Sequence, residues 1–119
     1  MKLINNYELI IKKSKFISYL YELDSTEDVK QILESLKKEH KKARHIPYAY
    51  IFKNTAKKTD DKEPNGTAGL QIYNVLEREN LNSHLIAVVR YFGGTKLGAS
   101  NLLRAYNKAA IEVVKKNHD

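Results

Sequence analysis

An α+β two-layer sandwich, with a four-stranded sheet and three helices on one face, is the fold class that the apolar pattern predicts. Three observations lead there. Apolar residues alternate or run unbroken in four short stretches, they recur at helical spacing in three longer ones, and the two kinds follow in the order β-β-α-β-α-β-α. A chain of 119 residues is the size of one core, and no linker, repeat or low-complexity tract divides it. Residues 1–119 are therefore expected to form a single domain.

The first two strands are expected over 4–12, with Ile4, Tyr7, Leu9 and Ile11, and over 15–23, with Phe16, Ile17, Tyr19, Leu20 and Tyr21. Lys12-Lys13-Ser14-Lys15 separates them, as an antiparallel pair requires. Asp24 and Ser25 then precede Glu27 and Asp28 in the manner of a capping box. Val29, Ile32, Leu33 and Leu36 follow at helical spacing, so a helix is expected from about 26 to 41. Its cationic end, Lys37 to Lys42, suits the negative pole of the helix dipole.

Tyr48-Ala49-Tyr50-Ile51-Phe52, after Pro47, reads as the third strand. Residues 53–66 are almost free of apolar side chains and read as a long loop, a kind of segment that often carries function. Thr67 is placed as the cap of a second helix carrying Ile72, Tyr73 and Leu76 and ending at Glu77-Arg78-Glu79-Asn80. The fourth strand, 84–92, contains the wholly apolar run Leu85 to Val89. A glycine-rich turn leads into a last helix, 98–116, with Leu102, Leu103, Tyr106, Ala110, Val113 and Val114 as its buried stripe.

Composition narrows the function classes. There is no cysteine, so disulfides and thiolate zinc sites are excluded. No apolar run approaches the roughly 18 to 20 residues of a membrane helix, and Met1 to Asn6 lacks the features of a signal peptide. A cytoplasmic protein without membrane contact is expected. The formal charge of +7 inclines the chain toward polyanions, RNA or the ribosome among them. Lysine richness that merely reflects the source organism accounts for the same charge. No feature signals DNA specificity.

The chain is organised around Arg90-Tyr91-Phe92-Gly93-Gly94-Thr95-Lys96-Leu97-Gly98-Ala99-Ser100-Asn101, which holds three of the five glycines. A strand, a glycine turn and a helix N-terminus together can present backbone N–H groups to an anion. Arg90, Lys96 and Arg104 supply cations in or beside it. Nucleotide-fold readings fail on spacing. Adjacent Gly93 and Gly94 do not make G-x-G-x-x-G, and Ala99 stands where a P-loop needs its lysine. No cofactor is expected.

A second constellation is Asp60-Asp61-Lys62-Glu63-Pro64-Asn65-Gly66-Thr67-Ala68-Gly69. Its three carboxylates admit two readings: a hard-cation site, or acidic residues that favour the N-terminus of the helix they precede. They lack EF-hand spacing. His45 lies in Ala43-Arg44-His45-Ile46-Pro47, and His40, His84 and His118 share no metal-ligand spacing with it. No metal site and no catalytic residue is expected, since no nucleophile is set beside a base. The tyrosines, eight in all, read as packing residues rather than a base-stacking array.

The motif RYFGGTKLGASNLLRAY resembles the IMPACT (YigZ-like) family pattern R-Y-F-G-G-x-x-L-G-x-G-G-L-x-R-A-Y, and DDKEPNGTAG resembles its D-D-G-E-P-x-G-T-A-G. Ser14-Lys15-Phe16 and Ala43-Arg44-His45-Ile46-Pro47-Tyr48-Ala49-Tyr50 are similar to its S-K-F and A-T-H-x-x-Y-A-Y segments. Lys62, Arg44 and the pair Ser100-Asn101 depart from it, replacing a glycine, a threonine and a glycine pair. The resemblance implies the fold of the family's N-terminal domain, similar to a ribosomal-protein domain and to domain IV of elongation factor G. It also implies a translation-associated role, since eukaryotic members regulate translation through protein contacts. Bacterial relatives usually carry a second, ferredoxin-like domain of about 80 residues, expected to be absent here.

The functional expectation is a non-enzymatic module that binds RNA, the ribosome or a translation-regulatory protein. Its surface would comprise Arg90, Gly93, Gly94, Lys96, Gly98 and Arg104, with His45 and Arg44 beside them. Asp60, Asp61 and Glu63 instead offer Arg90 and Arg104 buried partners, a structural role for the same residues. Two alternatives stand: a metal-assisted, peptidase-like hydrolase using the acidic loop and His45, and a protein-only interaction domain.

Overall fold

The structure is a computed structural model that describes residues 1–116. Its elements are β1 (Lys2–Ile11), β2 (Ser14–Glu22), α1 (Asp28–Glu39), β3 (Tyr48–Phe52), β4 (Thr55–Thr59), α2 (Gly69–Arg78), β5 (His84–Tyr91) and α3 (Ala99–Lys115). The strands form one sheet in the order β1-β2-β5-β3-β4, with every neighbouring pair antiparallel. None of the helices is long and apolar enough to cross a membrane.

The α+β class holds, with two corrections. The sheet has five strands, not four, because Thr55–Thr59 pairs with β3 across the Lys53–Asn54 turn. Thr-Ala-Lys-Lys-Thr has no apolar face to announce a strand, and its first four residues are exposed. Main-chain pairing with β3 recruits it, with Lys57 laid over Tyr48 and Lys58 over Tyr73.

The helices also do not share a face. Val29, Ile32 and Leu36 of α1 pack with Tyr19, Leu85, Ala87 and Val89 on one side of the sheet. Ile72, Val75 and Leu76 of α2 and Leu102, Tyr106 and Val113 of α3 pack with Phe16, Leu20, Ile86 and Val88 on the other. The layers are therefore α1, sheet, and α2 with α3. Central β5 is buried from Leu85 to Arg90 because both its faces are covered, and that is why its sequence runs apolar without alternation.

Only the carboxylate half of the expected capping box forms before α1, whose N-cap position, Glu27, has no side-chain cap of its own. The Asp28 carboxylate accepts from the N–H groups of Asp24 (2.8 Å) and Ser25 (3.2 Å), while Ser25 Oγ accepts from Glu27 N–H. On α3, Ala105 and Ala109 join the buried stripe and Leu103 is exposed. Thr67 does not cap α2. Its hydroxyl donates to the Pro64 carbonyl at 2.6 Å, and the capping group comes from Asp60. His118 lies outside the described residues.

Candidate anion-binding site at the glycine turn

Alternation along β5 sends Ile86, Val88 and Arg90 toward α2 and α3. Arg90 is thereby buried to 6% exposure at the end of a hydrophobic strand. An isolated guanidinium there would be costly. Glu63, itself 7% exposed, meets it: Arg90 Nη1 donates to both carboxylate oxygens, at 3.0 and 2.8 Å. The Tyr106 hydroxyl on α3 donates to Glu63 Oε2 at 2.5 Å. Burial first, then the Glu63 charge, pushes the Tyr106 phenol far above its ordinary value, so it remains a donor. Arg90 Nε has no hydrogen-bond partner among the described residues.

The acidic loop holds itself and its neighbours. Asp60 accepts from the N–H groups of Gly66, Ala68 and Gly69 at 3.0, 3.1 and 2.8 Å, which caps α2 from a distance. Burial pushes the Asp60 carboxyl up, but these donors outweigh it and hold it below the usual range. Asp61 Oδ2 accepts from Ile46 N–H, and the Asp61 carbonyl accepts from His45 Nδ1–H, each at 2.7 Å. His45 Nε2 then stands 3.5 Å from Glu63 Oε1. Arg44 and His45 are fixed beside β5 by main-chain bonds, Arg44 N–H to Arg90 O and Arg90 N–H to His45 O.

Each carboxylate thus has its own partner: α2's N-terminus, the Ile46 amide, or Arg90 with Tyr106. They do not converge on one cation with His45, and the described residues contain no cluster of three or more metal-ligating side chains. This geometry runs against the hydrolase alternative. It favours the structural reading of Asp60, Asp61 and Glu63, but only Arg90 serves as their arginine partner. Arg104 is exposed and donates to Asn101 Oδ1 instead.

The glycines divide as well. Gly93 does not open the turn to an anion. A Cβ there would lie 2.2 Å from the carbonyl of Lys13, so the residue exists to let two backbones touch, and its N–H reaches Ser14 Oγ at 3.3 Å. Gly94 and Gly98 adopt φ of 92° and 80°, with open space where a side chain would stand. Leu97, 5% exposed, pins the turn to the core between them.

Above the buried cluster lies an open cavity of about 360 Å³, lined by Arg44, His45, Arg90, Phe92, Lys96 and the Gly98–Ala99 start of α3, with the Glu63 carboxylate also reaching its wall. No side chain caps that helix N-terminus. Exposed Phe92 carries the Arg44 guanidinium 4.7 Å above its ring. The structure gathers further cations around this end. Lys12 and Lys13 lie on the hairpin that abuts Gly93. Lys41 and Lys42 lie between His40, bonded to Tyr91 Oη at 2.6 Å, and Arg44.

Sequence reasoning missed three contributors. Tyr106 was readable as core, and a buried phenol needs a polar partner, but only the fold supplies Glu63 as that partner. Ser14 holds the turn, and Phe92 faces solvent beside Arg44. Neither pairing leaves a mark in local sequence.

The family model described as Impact N-terminal domain matches residues 12–114. The IMPACT family member YvyE of Bacillus subtilis is 37% identical over 115 residues, 94% of this chain and 53% of that protein. The chain spans about half the length of the curated relatives it matches, as that 53% illustrates. A crystal structure described as a hypothetical protein superposes with a TM-score of 0.89 at 32% identity, covering 97% of this chain and 60% of the other. The two-domain translational regulator Yih1 shares the fold at a TM-score of 0.53 and 22% identity, over 97% of this chain and 46% of that one.

Proposed function

This chain belongs to the IMPACT family through its Impact N-terminal domain, and from that premise we propose that it is a non-enzymatic, translation-associated module that binds structured RNA. The contact surface is the basic end around the glycine turn. One observation carries this reading. Exposed Arg44 and Lys96 rim a groove floored by the uncapped start of α3, and the one carboxylate that lines it, Glu63, is paired with Arg90. With Glu63 matched by Arg90, the charges of Arg44 and Lys96 are left to give the groove a positive potential.

In this reading Lys96, Arg44 and Arg104 contact phosphate, and Phe92 offers its ring to an unpaired base. Gly94 and Gly98 let the ribose-phosphate chain approach the α3 amides. Arg90 and His45 form the wall and are held by Glu63 and Asp61. Ribosomal RNA is the source of such a ligand that fits a translation-associated role.

The test is binding to structured RNA and to ribosomal subunits across a salt series. Affinity should fall steeply with salt, and Lys96→Ala should lower the slope of log K against log salt by about 1. Arg44→Ala should act similarly. Absence of binding at low salt, where phosphate contacts are strongest, would overturn the reading.

A further inference from the structure

We propose a second docking surface at the β4 edge of the sheet, where the α1 side of β3 and β4 receives an acidic, extended peptide segment of a partner protein. The segment pairs with β4 as a sixth strand.

The sheet order ends at β4, so one side of its main chain has no partner strand. Thr55, Ala56, Lys57 and Lys58 are all exposed. Register places Tyr48, Tyr50 and Phe52 opposite Thr59, Lys57 and Thr55, which puts all six on the α1 face. Helix α1 packs over β2 and β5 and stops short of β4. A groove of about 450 Å³ remains between its Lys30, Leu33 and Lys37 and the shelf of Tyr48, Tyr50 and Lys57.

Charge specifies the occupant. Lys30, Lys37 and Lys57 surround the groove against the single carboxylate of Glu34. Lysine on a short edge strand discourages pairing with neutral or basic strands, but it favours a strand whose alternate side chains are acidic. Main-chain bonds to β4 supply affinity, and every second side chain of the segment enters the groove beside Lys57. Nucleic acid fits this shelf poorly. Tyr48 is 9% exposed and lies under the Lys57 ammonium, and Tyr50 and Phe52 are half-buried. Exposed Phe92, the ring suited to stacking, belongs to the glycine-turn groove instead.

The experiment titrates the protein with a short fluorescein-labelled peptide of alternating glutamate and valine. Anisotropy reads affinity, and amide NMR reads location. Saturable binding is expected, with shifts and slowed hydrogen exchange over Thr55–Thr59. The double variant Lys30→Glu with Lys57→Glu should weaken it roughly tenfold or more, as should glutamine in place of glutamate in the peptide. Both substituted lysines are exposed, and an unchanged thermal midpoint will show that the variant folds. The proposal is overturned by no binding, by equal affinity of the variant, by shifts at the glycine turn instead, or by an RNA oligonucleotide perturbing β4 in the peptide's place. RNA binding by the double variant should remain intact, which keeps failure here distinct from failure at the turn.

Discussion

Arg90 and Lys96 belong to one motif and carry the same charge, yet they do opposite work. Arg90 ends a strand covered on both faces and is matched by Glu63 and Tyr106, whereas Lys96 stands exposed on the groove rim. The motif is thus two regions. One is a buried polar knot tying β5, the acidic loop and α3 together, and the other is a solvated cationic rim. The lesson is that a run of basic residues beside a glycine turn should be divided by burial before any of them is assigned to a ligand. A buried cation has already been neutralised by the fold.

The comparison breaks first if the knot does not hold the domain. Glu63→Ala leaves the Arg90 guanidinium buried without its counter-ion and should cost about 3–5 kcal/mol in denaturant unfolding. A loss below about 1 kcal/mol would mean that water reaches Arg90 freely. Gly93→Ala forces a methyl into the Lys13–Ser14 backbone, and chemical denaturation should show a loss of about 1–3 kcal/mol or more. Asp60→Asn removes the charged acceptor from the start of α2, for about 1 kcal/mol.

The Asp60 effect has a pH signature. Its carboxyl is held below the ordinary value of 3.8 in the folded chain. Its contribution is therefore complete above the unfolded value and is lost as pH falls through the folded one. Unfolding curves of wild type and variant should converge below about pH 3.8 and stay parallel above it. Lys62, at φ 70°, sits in the left-handed region where the family pattern has glycine. Lys62→Gly should stabilise by up to about 1 kcal/mol, read as a raised midpoint. The smallest effect belongs to the rim: Lys96→Ala should leave stability within about 0.5 kcal/mol, while the proposed RNA contact predicts a lower affinity.

Much of the fold was legible because burial leaves a period. The stripes Val29-Ile32-Leu36 and Leu102-Tyr106-Val113 marked α1 and α3, and Ser25 with Asp28 marked a helix start through side-chain chemistry confined to one turn. β4 was not legible, since an exposed edge strand is held by main-chain bonds that any sequence can make. The one-sided helix layer was misread, although the unbroken apolar run of β5 carried the sign that both faces are covered.

The candidate site divides along the same physical line. Sequence by itself determined every element except β4, the presence of a glycine turn feeding a helix, and the set of charged residues available around it. Local periodicity and turn chemistry act over a few residues and are written into the chain. Only tertiary structure decided that Asp60 caps α2, that Gly93 serves a close backbone approach, and that Glu63 belongs to Arg90 and Tyr106. The contacts of Gly93 and Glu63 join residues 27 or more apart in sequence, and even the nine from Asp60 to Gly69 exceed one turn's chemistry, so a charge's partner is set by which groups the packing buries together.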